Sequence, residues 1–167
     1  MKSDYLKLHL IVVIWGFTGV LGALIDLDAV HIVWHRMLIA SAGMFLWMAI
    51  LGKNLLLGWR GAVKTLGTGV IIALHWISFF HSIKVSNVSV ALACMSTVSF
   101  FTALLEPLFF KRRIIPYELL FGLLIIAGLY LIFRFEPGYS EGIIFSVISS
   151  FLAALFTVIN GLLIRER

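Results

Sequence analysis

Six runs of about 20 apolar residues, separated by short breaks that gather charges and turn formers, constrain this 167-residue chain more than any other feature. A helix needs about 20 apolar residues to cross roughly 30 Å of hydrocarbon. The stretches 5–25, 30–51, 62–83, 88–110, 115–133 and 142–164 each reach that length. Helices are also the spanning form that satisfies its own backbone in lipid, so the predicted fold class is all-α integral membrane with six transmembrane helices. Composition agrees. The chain is 62% hydrophobic and 13% charged, against roughly 45–50% and about 25% for a soluble domain. A globule of that make-up would expose apolar surface to water, so the lipid bilayer is its expected surrounding. The net charge of +5 does not form a basic stripe on a polar domain, which argues against a nucleic-acid partner. Cys94 stands alone in an apolar run, which excludes an intrachain disulfide and a multi-cysteine metal site. The first run reads as a span and not as a cleavable signal, because it is long and ends in Ile25-Asp26-Leu27-Asp28.

Charge sets the direction of the spans. Asp26 and Asp28 divide the first two runs, residues 52–61 the next, Lys84-Val85-Ser86-Asn87 the third, Lys111-Arg112-Arg113 the fourth and Glu136-Pro137-Gly138 the fifth. Connections this short imply antiparallel neighbours. Lys2, Lys7, Lys53, Arg60, Lys64, Lys111, Arg112, Arg113, Arg165 and Arg167 fall on one side of the membrane. Only Lys84 and Arg134 fall on the other, and Arg36 lies within a span. Lysine and arginine are retained on the cytoplasmic side. Both ends are therefore expected in the cytoplasm, with the Asp26/Asp28 and Glu136/Glu141 loops outside, in a multi-pass protein of the cytoplasmic (inner or plasma) membrane.

Polar residues inside the spans are the candidates for function. Arg36 lies roughly 9 Å below the outer boundary at about 1.5 Å per residue. It either anchors its helix by snorkelling or pairing with Asp26 or Asp28, or lines an outward-open cavity and meets an anionic substrate group. Glu106 precedes Pro107 near the cytoplasmic end of the fourth span. It is either satisfied by Lys111-Arg112-Arg113 or serves as a proton or cation site. Pro107 frees the carbonyl of Ala103, so a kink is expected there. His75 lies near mid-membrane beside Trp76 and Ser78, as a packing histidine, a hydrogen-bonding pocket wall or a proton relay. His81 shares its span six residues on, on a different face, which disfavours a metal pair. His31 and His35 do share a face but sit at the boundary, and no His-Glu-x-x-His is present. Ser96, Thr97, Ser99 and Thr102 read as packing residues that bond their own i−4 carbonyls. Gly16, Gly19, Gly22, Gly67, Gly69, Gly122 and Gly128 read as close-approach positions. Trp15 beside Gly16 is the exception, a bulky indole suited to a pocket wall or gate. Trp59 and Tyr139 read as belt anchors.

In order and spacing these residues are similar to a known family. Trp15-Gly16 stands in the first span, and Arg36 followed by Met37-Leu38-Ile39-Ala40 in the second. The fourth carries the segment from Ser99 through Glu106-Pro107 to Lys111-Arg112-Arg113, followed by Tyr117-Glu118, Gly122 and Gly128 in the fifth. The chain resembles the EamA family of the drug/metabolite transporter superfamily, whose members look like tandem copies of a five-helix repeat. The resemblance implies a first repeat at residues 1–135 and, at 136–167, the first helix of an inverted second repeat that is cut short. It departs from the family in its basic loop, which reads Lys111-Arg112-Arg113 where a glutamate is usual.

The resemblance implies secondary transport of a small metabolite or drug-like solute by alternating access. Trp15, Arg36, His75 and Trp76 are the candidate wall residues and Glu106 the possible proton or ion site. The expected partners are a small-molecule substrate and either the second repeat of a longer chain or a homodimer partner. No cofactor and no metal are implied. The alternative is a non-transporting membrane subunit or scaffold, for which the six helices need only packing surfaces. An enzyme is not expected, because no nucleophile, metal set or paired-carboxylate constellation stands out.

Overall fold

A stripe of small residues recurs along the last apolar run: Gly142, Ser146, Ser149, Ser150, Ala153, Ala154 and Val158, all buried. At helical spacing these positions fall on one face, and small side chains let neighbouring backbones approach. In the computed structural model, which describes residues 2–53, 58–134 and 137–165, this face becomes the centre of the molecule. The described helices are α1 (Lys2–Leu24), α2 (Ala29–Ile50), α3 (Trp59–Val85), α4 (Val88–Met95), α5 (Val98–Phe110), α6 (Pro116–Phe133) and α7 (Ser140–Arg165), with a short 3₁₀ turn at Pro137–Tyr139. α7 packs most extensively on α3 and then on α5 and α4. α2 leans on α3, α6 leans on α5, and α1 covers parts of α3 and α4. Glu136 and Arg167, which enter the charge pattern above, lie outside the described residues.

The fold is the all-α membrane architecture the apolar runs predict. α1, α2, α3, α7 and the combined α4–α5 segment are long and apolar enough to cross a membrane, and α6 is a shorter apolar helix. The third segment is longer than its apolar run, starting at Trp59 and ending at Val85. Arg60 and Lys84 therefore ride on helix ends rather than in loops, where long cationic side chains reach water while their backbone stays hydrogen-bonded. Lys84 Nζ donates to the Ile25 carbonyl at 2.5 Å, tying the end of α3 to the loop after α1. Two helix starts carry side-chain caps. Asp28 Oδ1 accepts from His31 N at 2.8 Å and Asn87 from Val90 N at 2.9 Å. The His31 backbone N–H, followed by its ring, holds the exposed Asp28 carboxyl below the ordinary carboxylate range. Proline opens α6 in its first turn, where its missing N–H costs no bond.

The fourth span departs from the expected pattern. α5 runs through Pro107, and the span is interrupted at Ser96-Thr97, between α4 and α5, where no break is expected. The cause lies in the hydroxyls. Ser96 Oγ donates to Ala93 O at 2.6 Å and Thr97 Oγ1 to Cys94 O at 2.7 Å, and the backbone N–H groups of the same two residues bond the same carbonyls. These are three-residue closures, tighter than the α-helical four, and two of them in succession end the helix. Of Ser96, Thr97, Ser99 and Thr102, Thr102 makes the expected i−4 bond, to Val98 O, while the others bond i−3 carbonyls.

The glycines divide in the same way. A Cβ at Gly22 would enter the Phe80 ring, and one at Gly122 would enter the Phe100 side chain. These are true close approaches, as is Gly142 against Ser86. Gly16, Gly67, Gly69 and Gly128 face open space instead, so their expected packing role is not realised within this chain.

Candidate functional site

The segment His75-Trp76-Ile77-Ser78-Phe79-Phe80 packs four rings into two turns of α3, and the bundle assembles its polar centre around them. Trp76 stacks on Phe80 at 5.7 Å between ring centroids and meets Phe79 edge-on at the same distance. His75 lies 4.9 Å from the Trp76 ring and 5.4 Å from Phe156 of α7. Over this aromatic layer lies Arg36 of α2, its Cζ 3.8 Å from the Trp76 centroid and 6.0 Å from Phe80. Arg36 and Trp76 sit roughly 10 Å and 14 Å from the ends of α2 and α3 that the charge pattern places outside, at about 1.5 Å per residue. They therefore share a depth.

Arg36 is half-buried and makes no ion pair with any described carboxylate. Asp28 turns instead to His31, 2.6 Å from its ring Nδ1. A charge inside a membrane bundle costs about 2.5–3.5 kcal/mol or more. A desolvated cation–π contact returns about 2 kcal/mol, and Trp76 supplies one. The balance leaves a planar, five-donor cation that an oxyanion would stabilise further.

His75 is buried and doubly fixed to α7. Its Nδ1 lies 2.9 Å from both the backbone oxygen and the Oγ of Ser149, and Ser149 Oγ in turn donates to His75 O at 3.1 Å. A carbonyl only accepts, so Nδ1 carries the proton and Nε2 is the acceptor side of the ring. Further along the same seam Ser82 Oγ meets Ser146 Oγ at 2.5 Å, and Ser150 Oγ donates to Ser146 O and to Cys94 O. The helix break at Ser96-Thr97 therefore sits beside this polar seam, and Cys94 is buried there as a free thiol.

Of the residues singled out from the sequence, the fold brings Arg36, His75 and Trp76 together and leaves two elsewhere. Trp15 is 69% exposed on the outer face of α1. Glu106 lies toward the other end of the bundle, paired with Arg112, which also reaches Glu118 of α6 at 3.5 Å. Lys111, in the left-handed conformation at φ 52°, ends α5 and turns the chain there. The same three charged residues line a cavity of about 400 Å³ with Ser99 and Thr102. His81 contacts Glu141 at 3.2 Å, on a different face from His75 as the spacing requires.

Sequence reasoning missed Ser149 as the partner of His75, Phe156 as the ring beside that histidine, and Phe80 as the second ring under Arg36. The aromatic run 75–80 was a visible signal for Phe80. Ser149 carried a signal too, as part of the small-residue stripe, but nothing local paired it with a histidine 74 positions away.

The model of the EamA-like transporter family matches residues 3–134. The chain belongs to the EamA-like transporter family. The match takes in α1 through α6 and thus the Arg36–Trp76 stack, whereas α7, which supplies Ser149, lies beyond it. Comparison with curated proteins and with solved structures gives no match. Membership makes this a multi-pass membrane protein of a transporter family that handles small molecules.

Proposed function

We propose that this protein is a secondary transporter that moves a small solute carrying an anionic group across the cytoplasmic membrane by alternating access. The observation that carries the reading is the half-buried Arg36 guanidinium, stacked on Trp76 with no described carboxylate to neutralise it. His75 and Trp76 form the wall behind it, and the Ser149 bonds fix the imidazole so that Nε2 is free to accept from a substrate hydroxyl or amine. In this reading residues 1–135 are one repeat and 136–167 begin an inverted second. Repeats of this kind carry their substrate between them, so the second repeat or a second copy closes the site, and the exposed Trp15 face of α1 is available to meet it. Glu106, paired with Arg112, which also reaches Glu118 of α6, is the proposed proton or ion site.

Two measurements test this. Proteoliposomes containing the full-length protein are offered a panel of radiolabelled carboxylates, phosphorylated solutes and neutral sugars. Anionic members are expected to enter above the leak of empty vesicles, and uptake confined to neutral solutes contradicts the reading. Orientation is tested by placing Leu27→Cys or Arg113→Cys in a Cys94→Ala background. A membrane-impermeant thiol reagent applied to intact cells is expected to label position 27 and not 113. The reverse pattern overturns the topology.

A further inference from the structure

A second cavity, of about 420 Å³, opens between the α4–α5 break, α6 and α7. It shares no lining residue with the Arg36, His75 and Trp76 site. It exists because α6 leans on α5 without packing extensively on α7. Cys94, Thr97 and Phe101 line it from the broken fourth span, Ile126, Tyr130 and Arg134 from α6, and Val147 from α7, with Arg134 at the end of α6. Its walls are otherwise aliphatic and aromatic.

Three observations identify an occupant. Tyr130 and Arg134 are four residues apart, hence one above the other on α6, and offer a phenol and a guanidinium at the end of that helix. Arg134 is exposed and pairs with no carboxylate among the described residues, so it brings a positive charge to this end of the cavity. The span from Ile126 to Arg134 is roughly 12 Å at about 1.5 Å per residue, close to the roughly 15 Å thickness of one leaflet's hydrocarbon. An apolar slot whose α6 wall runs about the depth of one leaflet and ends in a cation and a hydroxyl complements an acyl chain ending in a phosphate.

We infer that this cavity holds an acyl chain of an anionic phospholipid, with the phosphate held by Arg134 and Tyr130. The lipid fills the gap that α6 leaves against α7 and so braces the broken fourth span from the side. Which leaflet supplies the lipid rests on the orientation proposed above, while occupancy itself does not. The test therefore reads lipid and not transport.

Purified full-length protein is mixed with equal amounts of phosphatidylglycerol and phosphatidylcholine, and retained lipids are counted by native mass spectrometry. The wild-type protein is expected to keep one phosphatidylglycerol with a preference of about fivefold over phosphatidylcholine. Arg134→Gln, at an exposed position that does not challenge folding, is expected to keep either lipid equally. Val147→Trp, which fills the slot from α7, is expected to lose the bound lipid. Equal retention of phosphatidylglycerol by all three proteins, or no retention by the wild type, overturns the proposal.

Discussion

In the full-length transporter, Arg36→Lys is expected to raise the solute concentration for half-maximal uptake by about ten- to a hundredfold while leaving expression and insertion unchanged. A lysine keeps the charge and the reach toward the membrane surface. It loses the planar fork that grips an oxyanion through two parallel bonds, and it loses the flat face that lies on Trp76. A hydrogen bond to a charged group contributes about 1.5–3 kcal/mol, which corresponds to that range of affinity. If Arg36 serves only as an anchor, lysine serves equally well, and uptake by a well-expressed Arg36→Lys protein would match the wild type. Uptake kinetics in proteoliposomes, with the amount of inserted protein measured in parallel, separates the two.

The second large effect is structural. Ser149→Leu is expected to destroy the α3–α7 seam, whereas Ser149→Ala is expected to be mild. Ser149 is fully buried between α7 and His75 of α3, so a leucine there must push α7 away from α3. Overpacking of this kind costs about 1–3 kcal/mol and sometimes more. The alanine removes only the hydroxyl. His75 Nδ1 still donates to the Ser149 backbone oxygen, and hydrogen bonds between membrane helices average about 0.6 kcal/mol. Thermal unfolding in detergent, followed by the monodisperse fraction on size exclusion, is expected to show Ser149→Leu lost near the temperature at which Ser149→Ala remains intact. Equal stability of the two would mean that the seam is not tightly packed.

The contrast between those two sites shows what was legible in the sequence. Arg36 was visible because a cation in an apolar run is expensive wherever it points, so the residue type alone marks it. Trp76 was visible as an aromatic beside the mid-span His75, but its place under Arg36 is a tertiary fact. The number of spans and the charged ends of the helices followed from hydropathy alone. The break at Ser96-Thr97 was not read from the sequence: a proline marks a kink by its type alone, whereas consecutive serine and threonine closures leave no comparable mark. Ser149 was unreadable as a partner because its pairing is a tertiary fact. A serine in a small-residue stripe announces close approach without saying to whom. Trp15 lies apart from the other candidate residues in the described structure. A bulky residue beside a glycine looks like a pocket wall, but Gly16 faces open space and Trp15 stands on the exposed face of α1, where a second repeat or the lipid would meet it.

The central claim is that Arg36 neutralises a substrate anion, and the most direct test compares charge selectivity in two proteins side by side. Initial uptake is measured for an anionic solute and its neutral amide or dephosphorylated counterpart, in proteoliposomes of the wild type and of Arg36→Gln, which removes the charge. The account predicts that the wild type strongly prefers the anion and that the variant loses most of that preference while still sealing the vesicles. A wild type indifferent to solute charge, or a variant with the same preference as the wild type, would contradict it.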